Sequence, residues 1–226
     1  MPWSRNAKIA FIGSHGIRKT TAALAFASSI QRAGRSVEFA REVVRDNPLG
    51  INEGATSEAQ LWVLTSQIRR ELELSRKAEC LVTDRGVMDN FAYYLRASGG
   101  EDAFEVEPLV RKWSRTYDLV VRLTPDVEIR ADGVRSTSDR FRDEIEAILD
   151  ARLPRLVPGD RLIVQAASGI TENHDWWPLA EQLAFRLGEP LLAEGVSRPR
   201  PPRAQPARSR RPKPTHDDQL ALDLGR

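Results

Sequence analysis

The chain has 226 residues, of which 41% are hydrophobic and 29% charged, and its formal net charge is +2. This length suits one α/β domain with a good-sized core and an appendage. No apolar stretch approaches the roughly 20 residues that a membrane-spanning helix needs. Because residues 1–5 also lack the apolar segment of an export signal, we expect a cytoplasmic protein.

A predicted strand at residues 8–12 leads into a segment that we expect to bind nucleotide phosphate. Such a strand, ending in a Gly-containing loop and a Lys-Thr pair at a helix start, surrounds one anion with N–H groups, an ammonium and the positive helix end. The alternative is an ordinary strand-turn-helix connection. The loop residues are Gly13, Ser14, His15, Gly16, Ile17, Arg18, Lys19, Thr20 and Thr21.

Arg18 stands where the phosphate-loop pattern has glycine. The loop therefore lacks a small residue at the point where backbone and phosphate come closest. We expect nucleotide binding, whereas full catalytic competence depends on whether the loop tolerates this side chain.

Strand and helix patterns alternate along the rest of the chain, which predicts a parallel sheet with helices on both faces. Further strands are predicted at residues 36–40, 80–83, 119–123 and 161–165. Helices are predicted at residues 57–72, 87–95, 101–113, 139–153 and 176–187. Ser57 and Gln60 form a predicted capping box. The lone cysteine, Cys80, is expected to be buried and not catalytic.

Residues just beyond each strand are candidate site residues, because parallel sheets bind ligands at the carboxyl ends of their strands. After the second strand, Glu42 is a candidate to orient or deprotonate an attacking hydroxyl, and Arg45 to hold an anionic part of the acceptor. The alternative is a Glu-Arg ion pair on a solvated helix face.

After the third strand, Asp84 is a candidate magnesium ligand or base, since Mg²⁺ prefers oxygen ligands beside phosphates. The alternative is a helix N-cap. Arg85 is a candidate phosphate contact, or else a surface arginine or a partner of Asp84. Asn90 completes the candidate substrate-binding residues.

After the fourth strand, the polar, arginine-rich residues 130–142 predict a mobile flap. Closing over nucleotide would bring Arg135 or Arg140 to the charge that develops on the transferred phosphoryl group. The alternative is a surface loop that leads into an ion-paired helix.

These motifs together resemble the AAA-type ATPase/kinase family that includes the nicotinamide-riboside kinase domain of bacterial NAD regulators. The resemblance covers residues 7–187 and rests on Gly13-Ser14-His15-Gly16 with Lys19-Thr20-Thr21, Glu42-x-x-Arg45, Thr83-Asp84-Arg85 with Asp89-Asn90, and Asp132-Gly133-Val134-Arg135. It implies a three-layer P-loop fold, nucleotide/nucleoside kinase-like, with an arginine-bearing lid around Arg135.

The same resemblance implies ATP and Mg²⁺, with γ-phosphoryl transfer to a nucleoside- or nucleotide-like hydroxyl. Lys19 and Thr20 would then bind phosphate and metal, and Asp84 would take the magnesium or base position. The Glu42-x-x-Arg45 spacing also resembles that of polynucleotide kinases, which makes a nucleic-acid acceptor conceivable.

The chain is expected to divide into a P-loop domain at 1–187, a Pro/Arg-rich disordered tether at 188–215 and a terminal peptide at 216–226. The tether's arginines are candidates for non-specific DNA contact. The terminal peptide resembles the motif by which bacterial replication and repair proteins dock on the sliding clamp, or else packs on its own domain. The docking residues would be Gln219, Leu220, Leu222 and Leu224.

Two functions follow from these patterns. The first is an ATP-dependent phosphotransferase brought near replicating DNA by its tail. The second is a nucleotide-dependent switch or adaptor in DNA repair, with weak or no kinase chemistry because of Arg18.

Overall fold

The computed structural model describes residues 1–126, 138–170 and 174–198. Within these ranges five parallel strands form one sheet in the order β2-β3-β1-β4-β5. The strands are β1 (Ala7–Ile12), β2 (Val37–Ala40), β3 (Cys80–Asp84), β4 (Leu119–Thr124) and β5 (Leu162–Ala166). The predicted parallel α/β sheet is confirmed. Since β1 is central, the loop that follows it opens between the ends of β3 and β4.

Helices cover both faces of this sheet, which confirms the predicted three layers. The helices in the described ranges are α1 (Lys19–Arg32), α2 (Ser57–Leu74), α3 (Val87–Ala97), α4 (Glu107–Ser114), α5 (Asp139–Leu156) and α6 (Trp177–Leu187). Ile9 and Phe11 of β1 pack in a core with α1 and α6. The alternate residues Ala10 and Ile12 pack in a second core with α3 and α5. Alternation along one strand therefore holds the layers together.

The helix boundaries differ from the predicted ones in two informative places. Thr56, not Ser57, is the N-cap of α2, and its side chain accepts a hydrogen bond from the Ala59 amide at 3.2 Å. The predicted capping box is therefore wrong. Helix α4 begins at Glu107, six residues after its predicted start at residue 101.

The folded body continues beyond the predicted domain boundary at Leu187. The buried Arg35 guanidinium donates to the carbonyls of Pro190, Leu191 and Leu192 at 2.7–3.0 Å. The Ala193 amide donates to the Ala33 carbonyl at 2.9 Å. Residues 188–198 therefore belong to the packed domain, while the rest of the predicted tether lies outside the described residues.

The expected burial of Cys80 is confirmed, because its side chain is buried in the sheet. Burial raises the pKa of this thiol, which keeps it neutral. Among the described residues, no helix has both the length and the apolar character needed to cross a membrane.

Glu71 of α2 is a buried carboxylate whose hydrogen bonds link α2 to β1 and α4. It accepts hydrogen bonds from Lys8 at 2.8 Å, Gln67 at 2.9 Å, Trp113 at 2.8 Å and Tyr117 at 2.6 Å. The Lys8 ammonium also lies 4.7 Å and 4.3 Å from the centroids of the Trp113 and Tyr117 rings. A buried ion pair is tolerated only when its remaining donors and acceptors are satisfied in this way.

Replacing Glu71 with alanine is expected to cost about 3–5 kcal/mol in the free energy of unfolding, because it strands the buried Lys8 ammonium and three neutral donors. Glu73→Ala on the same helix is the matched control. Glu73 pairs with Arg69 and Arg70 in solvent, so its loss is expected to cost less than about 1 kcal/mol. Urea denaturation measures both, and equal costs would contradict this role for Glu71.

Candidate functional site

The loop after β1 has a backbone that only certain residues can follow. Gly13 has φ +135°, and a Cβ there would lie 2.5 Å from the Leu123 carbonyl oxygen. Ile17 is fully buried in the core between the sheet and α1, so it fixes the far side of the loop. Gly13 therefore fixes the first end of the loop and Ile17 the second, and the loop leads directly into α1.

Arg18 adopts the backbone conformation that glycine would adopt. It is the N-cap of α1, with φ 61° and ψ 26° in the left-handed region. A non-glycine residue there costs on the order of 1 kcal/mol. Its side chain is exposed rather than folded into the loop. The substitution therefore strains the loop but keeps its path.

Lys19 is the first residue of α1, and its ammonium is buried at the mouth of the loop. Its Nζ donates to the Ser14 carbonyl. Burial lowers the pKa of Lys19 to about 7, and repulsion from Arg85 adds to this effect. An anion bound at the loop would oppose both effects, because it pairs with the charged form of Lys19 and thereby raises the pKa of this ammonium.

Thr20 and Asp84 meet at the ends of α1 and β3. The Thr20 hydroxyl donates to Asp84 Oδ2 at 2.6 Å. Asp84 ends β3 and is not the N-cap of α3, which is Gly86, so the N-cap alternative is wrong. Two side-chain oxygens beside a phosphate loop suit Mg²⁺, because this ion is typically held by one or two protein oxygens together with phosphates and water. Thr21, also predicted to bind nucleotide, is exposed.

Arg85 is buried in a cluster of charges, so it is neither a surface arginine nor simply a partner of Asp84. Its Nε donates to Glu42, its Nη1 to Asp89 at 3.3 Å, and its guanidinium lies 5.0 Å from the Tyr93 ring centroid. Its φ of +88° is a strained value for an arginine. Gln67 Nε2 donates to the Arg85 carbonyl at 3.3 Å and to Glu71, so the buried network supports this turn.

Asp89 is the second carboxylate beside Arg85 and is fully buried in α3. Burial raises its pKa to about 6, although the charges of Arg85 and Lys19 act in the opposite direction. Its Oδ1 accepts from the Gly86 amide at 2.7 Å. Asp89 therefore orients both the start of α3 and the Arg85 guanidinium.

Two cavities lie side by side at this edge. The aromatic pocket, with about 500 Å³ of empty space partly open to solvent, includes in its wall Gln60, Val63, Asn90, Tyr93 and Phe141. The loop-side cleft, with about 1100 Å³, includes Thr20, Leu24, Phe39 and Asp84. Glu42 and Arg45 line both cavities. Glu42 and Arg45, both predicted to contact an acceptor, therefore stand at the junction of the two spaces, whereas Arg85 and Asn90 line only the aromatic pocket.

The sequence did not reveal how α5 reaches the phosphate loop. Glu146 of α5 accepts from the Ser14 amide at 2.9 Å and from Arg122 of β4 at 2.9 Å. His15 Nδ1 lies 3.2 Å from the Tyr93 hydroxyl, and its ring stacks on Phe141 of α5 at 5.2 Å. The His15 ring thus connects the loop to α3 and α5, and it also lines the aromatic pocket.

Not all predicted site residues come together. Arg140 is exposed on α5, where it pairs with Glu144 at 3.1 Å. This is the ion-paired surface helix that the alternative interpretation predicted. Arg135 lies outside the described residues. So do the predicted clamp-docking residues, Gln219, Leu220, Leu222 and Leu224, and sliding-clamp binding stays a prediction from the sequence.

Comparison with known proteins gives a family and a fold. The sequence model of a family described as "AAA domain" matches residues 8–164. No curated protein matches significantly. The solved structure of a NadR protein in complex with NR has 20% identity and a TM-score of 0.62, over 84% of this chain and 54% of that one.

Two further structures are similar. A NadR protein in complex with NAD and AMP-PNP has 15% identity and a TM-score of 0.54, over 85% of this chain and 52% of that one. Thymidylate kinase from Candida albicans has 12% identity and a TM-score of 0.56, and the match covers 80% of this chain and 92% of that one. The chain thus spans about half the length of the NadR structures. The likeness shows a fold of the P-loop nucleotide and nucleoside kinase type.

The pKa of Lys19 predicts a pH dependence of stability. Between about pH 7 and the ordinary lysine pKa of 10.5, the unfolded chain binds a proton that the folded chain does not. The free energy of unfolding is therefore expected to rise with pH in this window, by up to about 1.4 kcal/mol per pH unit. Urea denaturation of the parent and of Lys19→Met measures this effect. In the variant, the free energy of unfolding is expected not to rise with pH in this way. Identical slopes of the free energy of unfolding against pH in the two proteins would contradict the lowered pKa of Lys19.

Proposed function

The chain belongs to the AAA domain family, and from that membership and the site geometry we propose that it transfers the γ-phosphoryl group of ATP to a hydroxyl of a nucleoside- or nucleotide-like acceptor. The observation that carries this proposal is the shared wall of the two cavities. Glu42 and Arg45 border both the loop-side cleft, which contains Thr20 and Asp84, and the aromatic pocket. A hydroxyl at that junction would face bound phosphate.

The phosphate end of the site is built from the loop and the first turn of α1. The loop amides and the Lys19 ammonium would hold the phosphates, and Thr20 with Asp84 would hold Mg²⁺. The metal, when bound, neutralises charge on the β- and γ-phosphates. Lys19 becomes fully charged as phosphate replaces its contact with the Ser14 carbonyl.

The acceptor end is built around Glu42. The acceptor oxygen forms a bond to the γ-phosphorus as the bond from that phosphorus to the bridging oxygen of ADP breaks, and the hydroxyl proton passes to the Glu42 carboxylate. Arg85 donates to Glu42 and holds it in place. Arg45, in the wall of both cavities, can contact an anionic group on the acceptor.

The test is transfer of label from γ-labelled ATP to a panel of nucleosides, mononucleotides and 5′-hydroxyl DNA. We expect transfer to one of these classes, a loss of at least about a hundredfold in Lys19→Ala and Asp84→Asn, and a similar loss in Glu42→Gln. The control is Asp46→Asn, an exposed carboxylate outside both cavities, which is expected to keep the parent's rate. Bound AMP-PNP without transfer to any acceptor would refute the proposal.

A second candidate, the nucleotide-dependent switch or adaptor, is favoured by the left-handed Arg18 in the loop. In that case chemistry is weak, and glycine at this position restores it. Because the Arg18 backbone already follows the glycine path and its side chain is exposed, we expect Arg18→Gly to change transfer by less than about threefold. An increase of more than about tenfold, with AMP-PNP affinity unchanged, would favour the switch instead. Arg76→Gly, at an exposed position far from the loop, controls for general effects of glycine.

A further inference from the structure

The backbone of Ser14, in the loop after β1, is held from two directions. Its amide donates to Glu146 Oε1 at 2.9 Å, and its carbonyl accepts a hydrogen bond from the Lys19 ammonium. Lys19 begins α1, whereas Glu146 lies on α5, 132 residues further along the chain than Ser14. Because the Ser14 amide is already paired with a carboxylate, it fixes the loop rather than facing a phosphate.

Arg122 of β4 holds the Glu146 carboxylate in this position. Its Nη2 donates to Glu146 Oε2 at 2.9 Å, so one carboxylate oxygen faces the loop and the other faces the guanidinium. Both side chains are largely buried, with 12% exposure for Glu146 and 8% for Arg122. In the sheet Arg122 is the register partner of Ile12, the residue before the loop, so this ion pair lies where the loop begins.

A second residue of α5 contacts the next residue of the loop. The Phe141 ring stacks on the His15 ring with 5.2 Å between the centroids, and Phe141 is packed in the core that α5 shares with α3. The loop contains Gly13 and Gly16, whose φ values of +135° and +77° are conformations that glycine adopts easily. Helix α5 therefore restrains the two residues that stand between the most adaptable positions of the loop.

We propose that Glu146, oriented by Arg122, is a positioning residue that keeps the phosphate loop in the shape that accepts nucleotide. As phosphate binds, the Lys19 ammonium leaves the Ser14 carbonyl for the anion, and the loop loses one of its two restraints. The Glu146 bond is made to the Ser14 amide, so it stays in place while Lys19 changes partner. This inference rests on the proposed function, because it names a positioning residue for the same phosphate site.

Positioning of this kind acts on nucleotide affinity. A loop that is already ordered does not spend binding energy on its own ordering, so its Kd for nucleotide is lower. Removing the acceptor from position 146 leaves the Ser14 amide without its partner and lets the loop sample other shapes. We therefore expect the affinity for nucleotide to fall when this one hydrogen bond is lost.

The role lies in the hydrogen bond and not in the charge of Glu146. A carboxylate beside a phosphate loop repels phosphate, and the Arg122 guanidinium offsets that repulsion. An uncharged side chain that still accepts from the Ser14 amide is therefore expected to keep the loop in place. Glu146→Gln retains such an acceptor and Glu146→Ala does not, so the two variants separate the hydrogen bond from the charge.

The first test measures AMP-PNP binding to the full chain by titration calorimetry in the presence of Mg²⁺. We expect Glu146→Ala to raise the Kd at least tenfold and Glu146→Gln to raise it less than threefold. Asp150→Ala is the matched control, because Asp150 is an exposed carboxylate one turn further along α5 that pairs with the same Arg122. This control is expected to keep the parent's Kd. An unchanged Kd in Glu146→Ala, or equal increases in both Glu146 variants, would overturn the inference.

The same titrations separate positioning from a loss of folded protein. A side chain that only stabilises the fold would lower the number of binding sites per chain and leave the Kd of the remaining sites unchanged. We expect the opposite for Glu146→Ala, namely the parent's stoichiometry with a higher Kd. A lower stoichiometry at the parent's Kd would show a structural role and overturn the inference.

The second test measures hydrogen exchange of the Ser14 amide in the full chain before nucleotide is added. A hydrogen-bonded amide exchanges slowly, because the bond must open first. We expect exchange to be at least tenfold faster in Glu146→Ala than in the parent, and within threefold of the parent in Glu146→Gln and Asp150→Ala. Equal exchange in the parent and Glu146→Ala would overturn the assignment.

These outcomes separate this inference from the proposed function. The expected changes in Kd and exchange, together with phosphoryl transfer to no acceptor, would refute the phosphotransferase and leave the role of Glu146 intact. Transfer by the parent, with the same Kd and exchange in Glu146→Ala, would refute only the role of Glu146. Absence of AMP-PNP binding by the parent would overturn both.

Discussion

The burial of five charged groups at one edge of the sheet is the constraint on which the site depends. Lys19, Arg85, Glu42, Asp84 and Asp89 are all nearly inaccessible to solvent. Each charge is expensive away from water unless it is paired and hydrogen-bonded. The fold meets this requirement with short contacts between groups that come from β1's loop, β3, α3 and the segment after β2. The same contacts fix the positions from which phosphate and a hydroxyl would be held.

Buried hydrogen bonds support the strained backbone at this edge of the sheet. Arg18 and Arg85 both have positive φ, at 61° and 88°, which arginine rarely adopts. Gln67 donates to the Arg85 carbonyl and to Glu71, and the Tyr117 hydroxyl accepts from the Val87 amide at 3.3 Å. The buried network around Glu71 therefore anchors the turn on which Arg85 depends.

The sequence was most informative where function depends on neighbours along the chain. The order Gly13 to Thr20 after an apolar strand predicted a phosphate loop, and the alternating patterns predicted a parallel three-layer fold that the structure confirms. Asp84 was singled out because it ends a strand, and it does lie beside Thr20. In each case local geometry is enough, since strand ends and helix starts have fixed directions.

Tertiary structure alone decided which groups those residues meet. Gln60 was predicted as part of a helix cap, and Arg85 as a phosphate contact or else a surface arginine or a partner of Asp84, yet both line the aromatic pocket. The body extends past Leu187 because Arg35 binds the carbonyls that follow. Glu146 reaches the Ser14 amide from a helix 132 residues away in the chain. Sequence periodicity specifies which face of an element is buried, whereas the partner across that face depends on the order of strands in the sheet. For this protein, the residues alone predicted the loop after β1 and the layers, and only long-range packing brought Glu42, Arg45 and Asn90 into the wall of one pocket.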